Sequence, residues 1–223
     1  MDEDMQYLKA ASAVDSDAEA VRSAARRIPA GAEDLREKAK ALFYFVRDEI
    51  RYNPYSSLYP LTASGTLRRG YGFCVQKAVL LAALARAVGI PARLGFADIR
   101  NHRLDPVWKR IFKGDVIVFH GFAELFLDGR WVKATPAFDL RMCRENGFLT
   151  VEFDGVHHAM FHPRDERGRP HIEYLRDHGR FADVPIEAML GAVTAAYGPE
   201  FLECWETGVW DRYLQDSSDA EEG

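Results

Sequence analysis

The run GYGFCVQKAVLLAALARAVGIPAR, residues 70–93, constrains the fold of this chain more than any other segment. A glycine-rich turn opens it, and a stretch of about 15 mostly apolar residues with helical spacing follows. Gly89, Ile90 and Pro91 then end the helix, because glycine followed closely by proline cannot continue it. A helix with so little polar surface has to be buried, so we expect the other elements to be arranged around it.

Cys74 lies at the first position of that predicted helix, directly after the glycine-rich turn. The unpaired N–H groups and the positive end of the dipole at a helix start favour the thiolate, which is the form that attacks a carbonyl carbon. Gly70 and Gly72 allow the tight turn and leave space beside the sulfur for a substrate. The pattern predicts a nucleophilic thiol at Cys74, whereas Cys143 and Cys204 lack this context and are interpreted as inert.

His120 is the predicted base for this thiol. It opens the segment HGFAELFLDGRWVKATPAFD, residues 120–139. The chain order of cysteine, histidine and then a carboxylate is the one expected of a nucleophile, its imidazole partner and an orienting group. Residues 119–127 and 130–135 are predicted to be two strands joined by Asp128-Gly129, the strongest short-range hairpin signal.

The two-residue turn sets which residues of the hairpin face each other. If the residues that flank the turn are paired, His120 lies opposite Ala137, provided that the ladder extends that far. Thr135 and Asp139 are then its diagonal neighbours on the same face. Asp139 is the carboxylate of the two and is predicted to orient the imidazole, with Thr135 as a weaker alternative.

These features together carry a resemblance to a known family. The glycine-rich turn, the cysteine at a helix start, the GIPAR ending and the histidine strand with a tryptophan-bearing partner strand resemble the transglutaminase-like superfamily of papain-type cysteine enzymes. The resemblance covers residues 35–140 and implies that Cys74 is the nucleophile and His120 the base. It also implies a core in which the nucleophile helix packs on an antiparallel sheet, and the grouping of helices before strands likewise indicates an α+β fold.

The third member of the triad departs from the commonest pattern of that family, in which an aspartate follows the tryptophan strand in a DPT-like triplet. Thr135 occupies that aspartate's place before Pro136. The ATPAFD ending resembles a bacterial subgroup in which Asn or Asp lies four residues further on, and this position matches Asp139. For the oxyanion, the resemblance allows Tyr52 as an aromatic donor. The backbone N–H of Cys74 is the preferred donor, because a helix start presents unpaired N–H groups.

We expect one globular domain made of four segments. They are an N-terminal helical segment (1–34), the catalytic core (35–140), an extension packed on the core that lines the cleft (141–215) and a disordered acidic tail (216–223).

Helical spacing further predicts helices over residues 15–28, 32–52 and 185–197. A long loop is expected over residues 53–73, and strands near residues 149–153 and 171–175 would widen the sheet.

Composition excludes several classes of protein. A chain of 223 residues with 48% hydrophobic content can bury a full core. Its net charge of −5 argues against nucleic acid or an anionic membrane surface as the partner. The N-terminal segment is acidic and lacks the apolar core of a signal peptide, and the apolar helix is too short and too charged to span a bilayer. Three scattered cysteines fit a reducing cytoplasm.

A histidine-rich segment, HHAMFH, invites a metal interpretation. His157, His158 and His162 have no acidic or cysteine ligands beside them at the spacing of a closed site. We therefore expect neither a metal nor another cofactor.

The predicted function is a cysteine-dependent hydrolase or acyl transferase that acts on amide bonds of peptides or proteins through a thioester acyl-enzyme. Water as the second nucleophile makes the protein a protease or amidase, and an amine co-substrate makes it a protein-glutamine transglutaminase. Hydrolysis is favoured because water vastly outnumbers any amine. Two other hypotheses stay open: a non-catalytic binding module of the same fold, and a metal-dependent hydrolase that uses the later histidines.

Overall fold

Helices precede most of the strands in the computed structural model, which describes residues 5–214. The helices are α1 (Glu19–Arg27), α2 (Leu35–Tyr44), α3 (Ala63–Arg69), α4 (Cys74–Ala87), α5 (Pro106–Ile111), α6 (Leu140–Asn146), α7 (Ile186–Tyr197), α8 (Pro199–Thr207) and α9 (Asp211–Leu214). The strands are β1 (Arg51–Tyr52), β2 (Tyr71–Gly72), β3 (Ala92–Asn101), β4 (Val116–Leu127), β5 (Arg130–Ala134) and β6 (Ile172–Phe181). A 3₁₀ turn, Gln6–Leu8, precedes α1, and a π-helical turn, Phe45–Glu49, follows α2. The architecture is α+β, as predicted.

The main sheet has four antiparallel strands in the order β5-β4-β3-β6. β1 and β2 form a separate parallel pair. The β4–β5 hairpin has the register that its two-residue turn predicts. Its ladder ends where Ala123 meets Ala134, however, so it does not extend to the level of His120.

The apolar helix α4, which begins at Cys74, packs on this sheet, chiefly against β4 and β3. Every residue from Val75 to Arg86 is buried, as predicted for so apolar a helix. β4 crosses the start of α4 at Gly121, where a Cβ atom would lie 2.9 Å from the Cα of Val75. Because glycine alone permits this approach, the crossing brings the segment that carries His120 to the start of α4.

The helix predicted over residues 32–52 ends earlier than expected. α2 passes into the π-helical turn and then into β1. A π turn leaves carbonyl groups outside the regular helical ladder. The Lys77 side chain reaches them from α4, and its Nζ donates to the carbonyl oxygens of Arg47 at 2.9 Å and Ile50 at 2.6 Å. A buried contact between distant segments therefore fixes the end of this helix.

The loop predicted over residues 53–73 contains α3 and β2, so that prediction is wrong for its second half. Thr62 caps the start of α3, because its side chain accepts the N–H of Gly65 at 3.1 Å. Gly70 ends the helix in the left-handed conformation, with φ of 73°. The remaining loop, ahead of Thr62, is the part that lies beside the nucleophile.

The segment predicted as a strand at residues 149–153 has no strand structure. Side chains satisfy its backbone instead: Arg47 donates to the carbonyl oxygen of Val151 at 2.8 Å. The Tyr44 hydroxyl lies 3.3 Å from both the N–H and the carbonyl oxygen of Phe153. With these groups occupied, the segment follows α2 and the π turn and does not join the sheet.

At the other edge of the sheet, the strand predicted near residues 171–175 is present as β6 and extends to Phe181. The tail predicted for residues 216–223 lies outside the described residues. Between residues 5 and 214, no helix combines the length and the apolar composition that crossing a membrane requires.

Candidate active site

Cys74 is the first residue of α4 and lies half-buried on the wall of a cleft. Gln76, two residues later, fixes the loop in front of it. The Gln76 Oε1 atom accepts the N–H of Phe73 at 3.2 Å and the hydroxyl of Ser56 at 3.1 Å. Its Nε2 atom donates to the carbonyl oxygen of Ser57 at 2.8 Å. The side chain therefore ties the preceding loop to the helix start and holds the thiol in a defined place.

The surroundings of the Cys74 sulfur favour the neutral thiol. Burial raises the pKa of Cys74, while the backbone N–H groups of Gly121, Val75 and Cys74 itself lower it by a smaller amount. The balance is a raised pKa, so burial outweighs the effect of the helix start and favours the neutral thiol. The same N–H groups remain available to charge that develops during a reaction.

His120 lies in the middle of β4, opposite Ala97 of β3, and is 2% exposed. Burial lowers its pKa to about 3, so the imidazole is neutral and has one nitrogen free to accept a proton. Its Nε2 atom has no hydrogen-bond partner among residues 5–214. The next residue, Gly121, donates its N–H to the sulfur of Cys74, which places the predicted base and nucleophile on directly adjoining backbone.

Aromatic rings surround this imidazole. The ring of Phe161 lies 5.0 Å from that of His120, and the ring of Tyr174 lies 6.3 Å away at a steep angle. Phe161 itself packs against Phe138 with 4.4 Å between the ring centres. These contacts fix the plane of the imidazole by packing, and they also account for its desolvation.

Asp139 does not orient His120 in this structure. Its carboxylate caps the start of α6, where Oδ1 accepts the N–H of Met142 at 2.8 Å, and its Oδ2 accepts the N–H of Tyr52 at 2.7 Å. The expectation that it is a diagonal neighbour of His120 is wrong, because β5 ends at Ala134 and the hairpin ladder ends with it. Asp139 instead ties α6 to β1.

Thr135 likewise has other partners. It is buried, and its N–H donates to the carbonyl oxygen of Ala159 at 2.8 Å. Its hydroxyl lies 3.3 Å from the sulfur of Met160 and forms a hydrogen bond with Tyr174. The residue at the place of the family's aspartate therefore supports the aromatic surroundings of His120.

Tyr52 lines the same cleft as Cys74. Its backbone is fixed twice, by pairing with Gly72 in β2 and by the bond to Asp139. Its ring stands edge-on to Phe138 at 5.0 Å. Burial and, to a smaller extent, the charge of a Cys74 thiolate raise the pKa of Tyr52, so its hydroxyl stays protonated and available as a donor.

A strained turn of backbone directly precedes His120, and the sequence reading missed it. Phe119 has φ of 54° within a strand, which is uncommon for a residue with a side chain. The Asp98 carboxylate in the β3 bulge holds it, accepting the N–H of Phe119 at 3.1 Å and contacting Nε2 of His178 at 2.6 Å. The His178 ring stacks on that of Phe119 at 4.1 Å. The sequence signal for this feature is Asp98, the single acidic residue in the strand segment ARLGFADIR.

The cleft beside Cys74 encloses about 980 Å³ of non-protein space, counting the part open to solvent. Its wall is largely aromatic and includes Phe73, Trp108, Phe112, Phe119, Phe201 and Trp205. A second, more polar cleft adjoins it and shares Tyr52, Pro54 and Met142. Within residues 5–214, no group of three or more His, Cys, Asp or Glu side chains is placed to hold a metal ion.

The sequence pattern of the transglutaminase-like superfamily matches residues 22–136, which is about half of the chain. The chain belongs to the transglutaminase-like superfamily. The matched region includes Cys74, His120 and Thr135 and ends before Asp139. No curated protein matches the chain.

Among solved structures, this superfamily member is similar to a proposed cysteine protease from Cytophaga hutchinsonii, with a TM-score of 0.50 and 19% identity. The match covers 80% of this chain and 54% of that one, so this chain spans about half of that structure. A proposed protease from Parabacteroides distasonis matches over 52% of this chain and 22% of its own, with a TM-score of 0.38 and 16% identity. The first similarity shows a shared fold that extends beyond residues 22–136.

Proposed function

We propose that this protein is a cysteine-dependent hydrolase of peptide or protein amide bonds, with Cys74 as nucleophile and His120 as general base. One observation carries the proposal: the thiol lies at a helix start on a cleft wall, and β4 crosses that start at the residue after His120. Membership of the transglutaminase-like superfamily and the fold shared with a proposed cysteine protease support it.

The mechanism follows from two neutral partners. The unprotonated nitrogen of His120 takes the thiol proton as the sulfur of Cys74 attacks the carbonyl carbon of the substrate. Negative charge develops on the carbonyl oxygen, where the N–H of Cys74 and the hydroxyl of Tyr52 are the candidate donors. The imidazolium returns its proton to the departing amine, which leaves a thioester. A water molecule, deprotonated by His120, then hydrolyses the thioester and frees the thiol.

His120 acts in this proposal without an acidic partner. Packing by Phe161 replaces the usual hydrogen bond to a carboxylate, and Asp139 contributes by positioning Tyr52. The pair is therefore a dyad that relies on desolvation and shape to hold the imidazole. An amine in place of water would turn the same acyl-enzyme into a transglutaminase intermediate, and water is favoured by its concentration.

The test is cleavage of a complex peptide mixture, followed by mass spectrometry. We expect Cys74-dependent products in the wild type and a loss of about 10³-fold or more in Cys74→Ala and in His120→Ala. Cys143→Ala is the matched control, because Cys143 is a second buried thiol outside the proposed dyad. Adding a fluorescent primary amine distinguishes transfer from hydrolysis. An identical product pattern in wild type and Cys74→Ala would leave a binding module as the better account.

A further inference from the structure

The cleft beside the thiol has a wall that the proposed chemistry does not require. Ten of its 22 described lining residues are aromatic. The nucleophile, the base and the oxyanion donors do not require an aromatic surface. A pocket lined by aromatic rings next to a reactive group is typical of a site that selects a side chain of its substrate.

Much of the wall comes from segments outside the superfamily match. Tyr197 lies at the end of α7, and Phe201 and Trp205 lie on α8, all beyond residue 136. Trp108, which lies inside the matched region, projects from α5 in the connection between β3 and β4. The wall therefore combines rings of the matched region with rings from two helices that follow it.

The rings form a continuous surface that begins next to the nucleophile. Phe73, the residue before Cys74, contacts Trp205 with 5.1 Å between ring centres. Trp205 lies 5.9 Å from Phe201, which in turn lies 5.6 Å from Phe112. The reacting carbonyl of a bound substrate would thus lie at one end of an aromatic wall that extends away from the sulfur.

This wall is preformed. The Tyr197 ring packs on Phe112 at 4.9 Å, and its hydroxyl accepts the N–H of Val118 at 2.7 Å while donating to the carbonyl oxygen of Val116 at 3.1 Å. Both backbone groups belong to β4, the strand that carries His120. A ring that enters the pocket therefore meets fixed partners, and little ordering of the protein has to accompany binding.

The two charged side chains on the wall are exposed to solvent, and each already has a partner within the protein. Arg103 lies 3.6 Å from the buried carboxylate of Asp165. Asp105 caps the start of α5 and accepts the N–H of Val107 at 2.8 Å. A lysine or glutamate side chain entering the apolar part would lose its hydration without gaining a partner, which is costly. The lining therefore discriminates against charge as well as favouring rings.

We propose that this pocket, which we call the aromatic pocket (its wall including Phe73, Phe112, Phe201 and Trp205), binds an aromatic side chain adjacent to the scissile amide bond. The inference rests on the proposed function, since it assigns the specificity of the same site. Ring-to-ring contacts in edge-to-face geometry, together with burial of apolar area, supply the selectivity.

The experiment compares the rates at which Cys74 is alkylated by phenylalanyl and alanyl chloromethyl ketones with the same blocking group. Iodoacetamide, which is too small to need the pocket, gives the intrinsic reactivity of the thiol. After normalisation we expect the phenylalanyl reagent to be at least about 10-fold faster than the alanyl one, and a lysyl reagent to gain nothing.

Val193 lies on the pocket wall in α7 and is the residue to enlarge. Val193→Phe fills the pocket, so the advantage of the phenylalanyl reagent should disappear while the iodoacetamide rate is unchanged. Ala195→Phe adds the same ring to the exposed side of α7 and serves as the matched control. If Val193→Phe does not fold, Phe201→Ala enlarges the pocket and should move the preference towards a tryptophanyl reagent.

Equal normalised rates for the phenylalanyl and alanyl reagents in the folded wild type would overturn the aromatic pocket. That failure is distinct from failure of the proposed function, which shows as peptide cleavage that persists in Cys74→Ala or is absent from the wild type. The alkylation ratio measures the pocket whether or not the peptides are cleaved.

Discussion

At the residue scale, burial acts in opposite directions on the two proposed reacting groups. It raises the pKa of Cys74 and lowers that of His120 to about 3, so both are neutral at rest. We therefore predict that iodoacetamide labels Cys74 slowly at pH 5 to 7, and that the rate rises about tenfold per pH unit until above the ordinary thiol pKa of about 8.5. The measurement is the labelling rate at Cys74 by mass spectrometry. Fast labelling at pH 5 that His120→Ala abolishes would show an ion pair and contradict this account.

Tyr52 is the second residue whose role the structure makes testable. Its hydroxyl is protonated, its ring lines the cleft with Cys74, and its backbone is fixed by Asp139. If the hydroxyl donates to the oxyanion, Tyr52→Phe should lower kcat about 100-fold and change KM little. Tyr71→Phe, in the neighbouring strand β2, is the control and should retain wild-type kinetics. An unchanged kcat in Tyr52→Phe would leave the N–H of Cys74 as the donor.

The residues of the site differ in how far the sequence could predict them. The predictions for Cys74 and His120 each depend on a local pattern, a helix start in one case and a hairpin strand in the other. Asp139 lies elsewhere than predicted, because the hairpin ladder ends at Ala134 and does not reach the level of His120. The same letters, Asp139 followed by Leu140 and Arg141, also fit a helix cap, which is the role that the structure shows. Which of these two roles Asp139 has depends on where β5 ends. The contacts of Lys133 and Thr135 with Ala159 determine that end.

At the element scale, the β3 bulge sets the direction of the strand that carries His120. Asp98 holds the strained backbone of Phe119 and the ring of His178 stacked on it. Asp98→Asn keeps the size of the side chain and removes its charge, so the bond to His178 weakens. We expect kcat to fall about 10-fold with less than about 1.5 kcal/mol lost in the free energy of unfolding.

The matched control for the bulge is Asp115→Asn, since Asp115 is a more exposed carboxylate that pairs with Arg100 in the same region. It should change neither quantity measurably. If Asp98→Asn lowers the free energy of unfolding but leaves kcat unchanged, Asp98 stabilises the sheet without positioning His120. Steady-state kinetics and urea unfolding on the same preparations separate the two roles.

The sequence predicts a helix or strand correctly where the signals lie within the segment itself. The prediction fails where contacts with distant side chains determine the conformation of the segment. The apolar helix α4 and the Asp128-Gly129 hairpin are determined by their own residues. α3 was missed although Thr62 and Gly70 mark both of its ends, because the surrounding residues suggested a loop. The absence of a strand at residues 149–153 depends on Arg47 and Tyr44, about a hundred positions earlier, and no local pattern contains that information.

At the scale of the whole molecule, one buried lysine links helix α4 to the π turn that follows α2. Lys77 is fully buried, and both of its described hydrogen bonds go to neutral carbonyl oxygens of the π turn and its end. Burial lowers its pKa to about 7, opposed in part by the charges of Asp139 and Asp48. The folded state therefore binds fewer protons than the unfolded state, whose lysine has a pKa of about 10.4.

This difference makes folding stability depend on pH. The penalty for charging Lys77 is fully present below about pH 7 and is relieved as the pH rises towards 10.4, so the free energy of unfolding should increase by about 1 kcal/mol between pH 7 and pH 8.5. His120 affects the pH dependence of stability mainly below pH 7, because its folded pKa of about 3 and its unfolded pKa of about 6.5 both lie under pH 7. The raised pKa values of Cys74 and Cys143, the latter about 11, act with the opposite sign, and this effect begins at the upper end of this pH range, where thiols of the unfolded chain start to ionise.

Urea unfolding at pH 7.0, 7.5, 8.0 and 8.5 measures the slope. Lys77→Met retains the length of the side chain and cannot titrate, so its unfolding free energy should be nearly constant across this range, although lower overall because two carbonyl groups lose their donor. Lys109→Met, at an exposed position on α5, should keep the wild-type slope. A wild-type slope that persists in Lys77→Met would assign the pH dependence to another group. If the slope disappears in Lys77→Met, the lysine that joins α4 to the π turn is largely neutral above pH 7. The centre of the fold is then stable without a buried positive charge at Lys77.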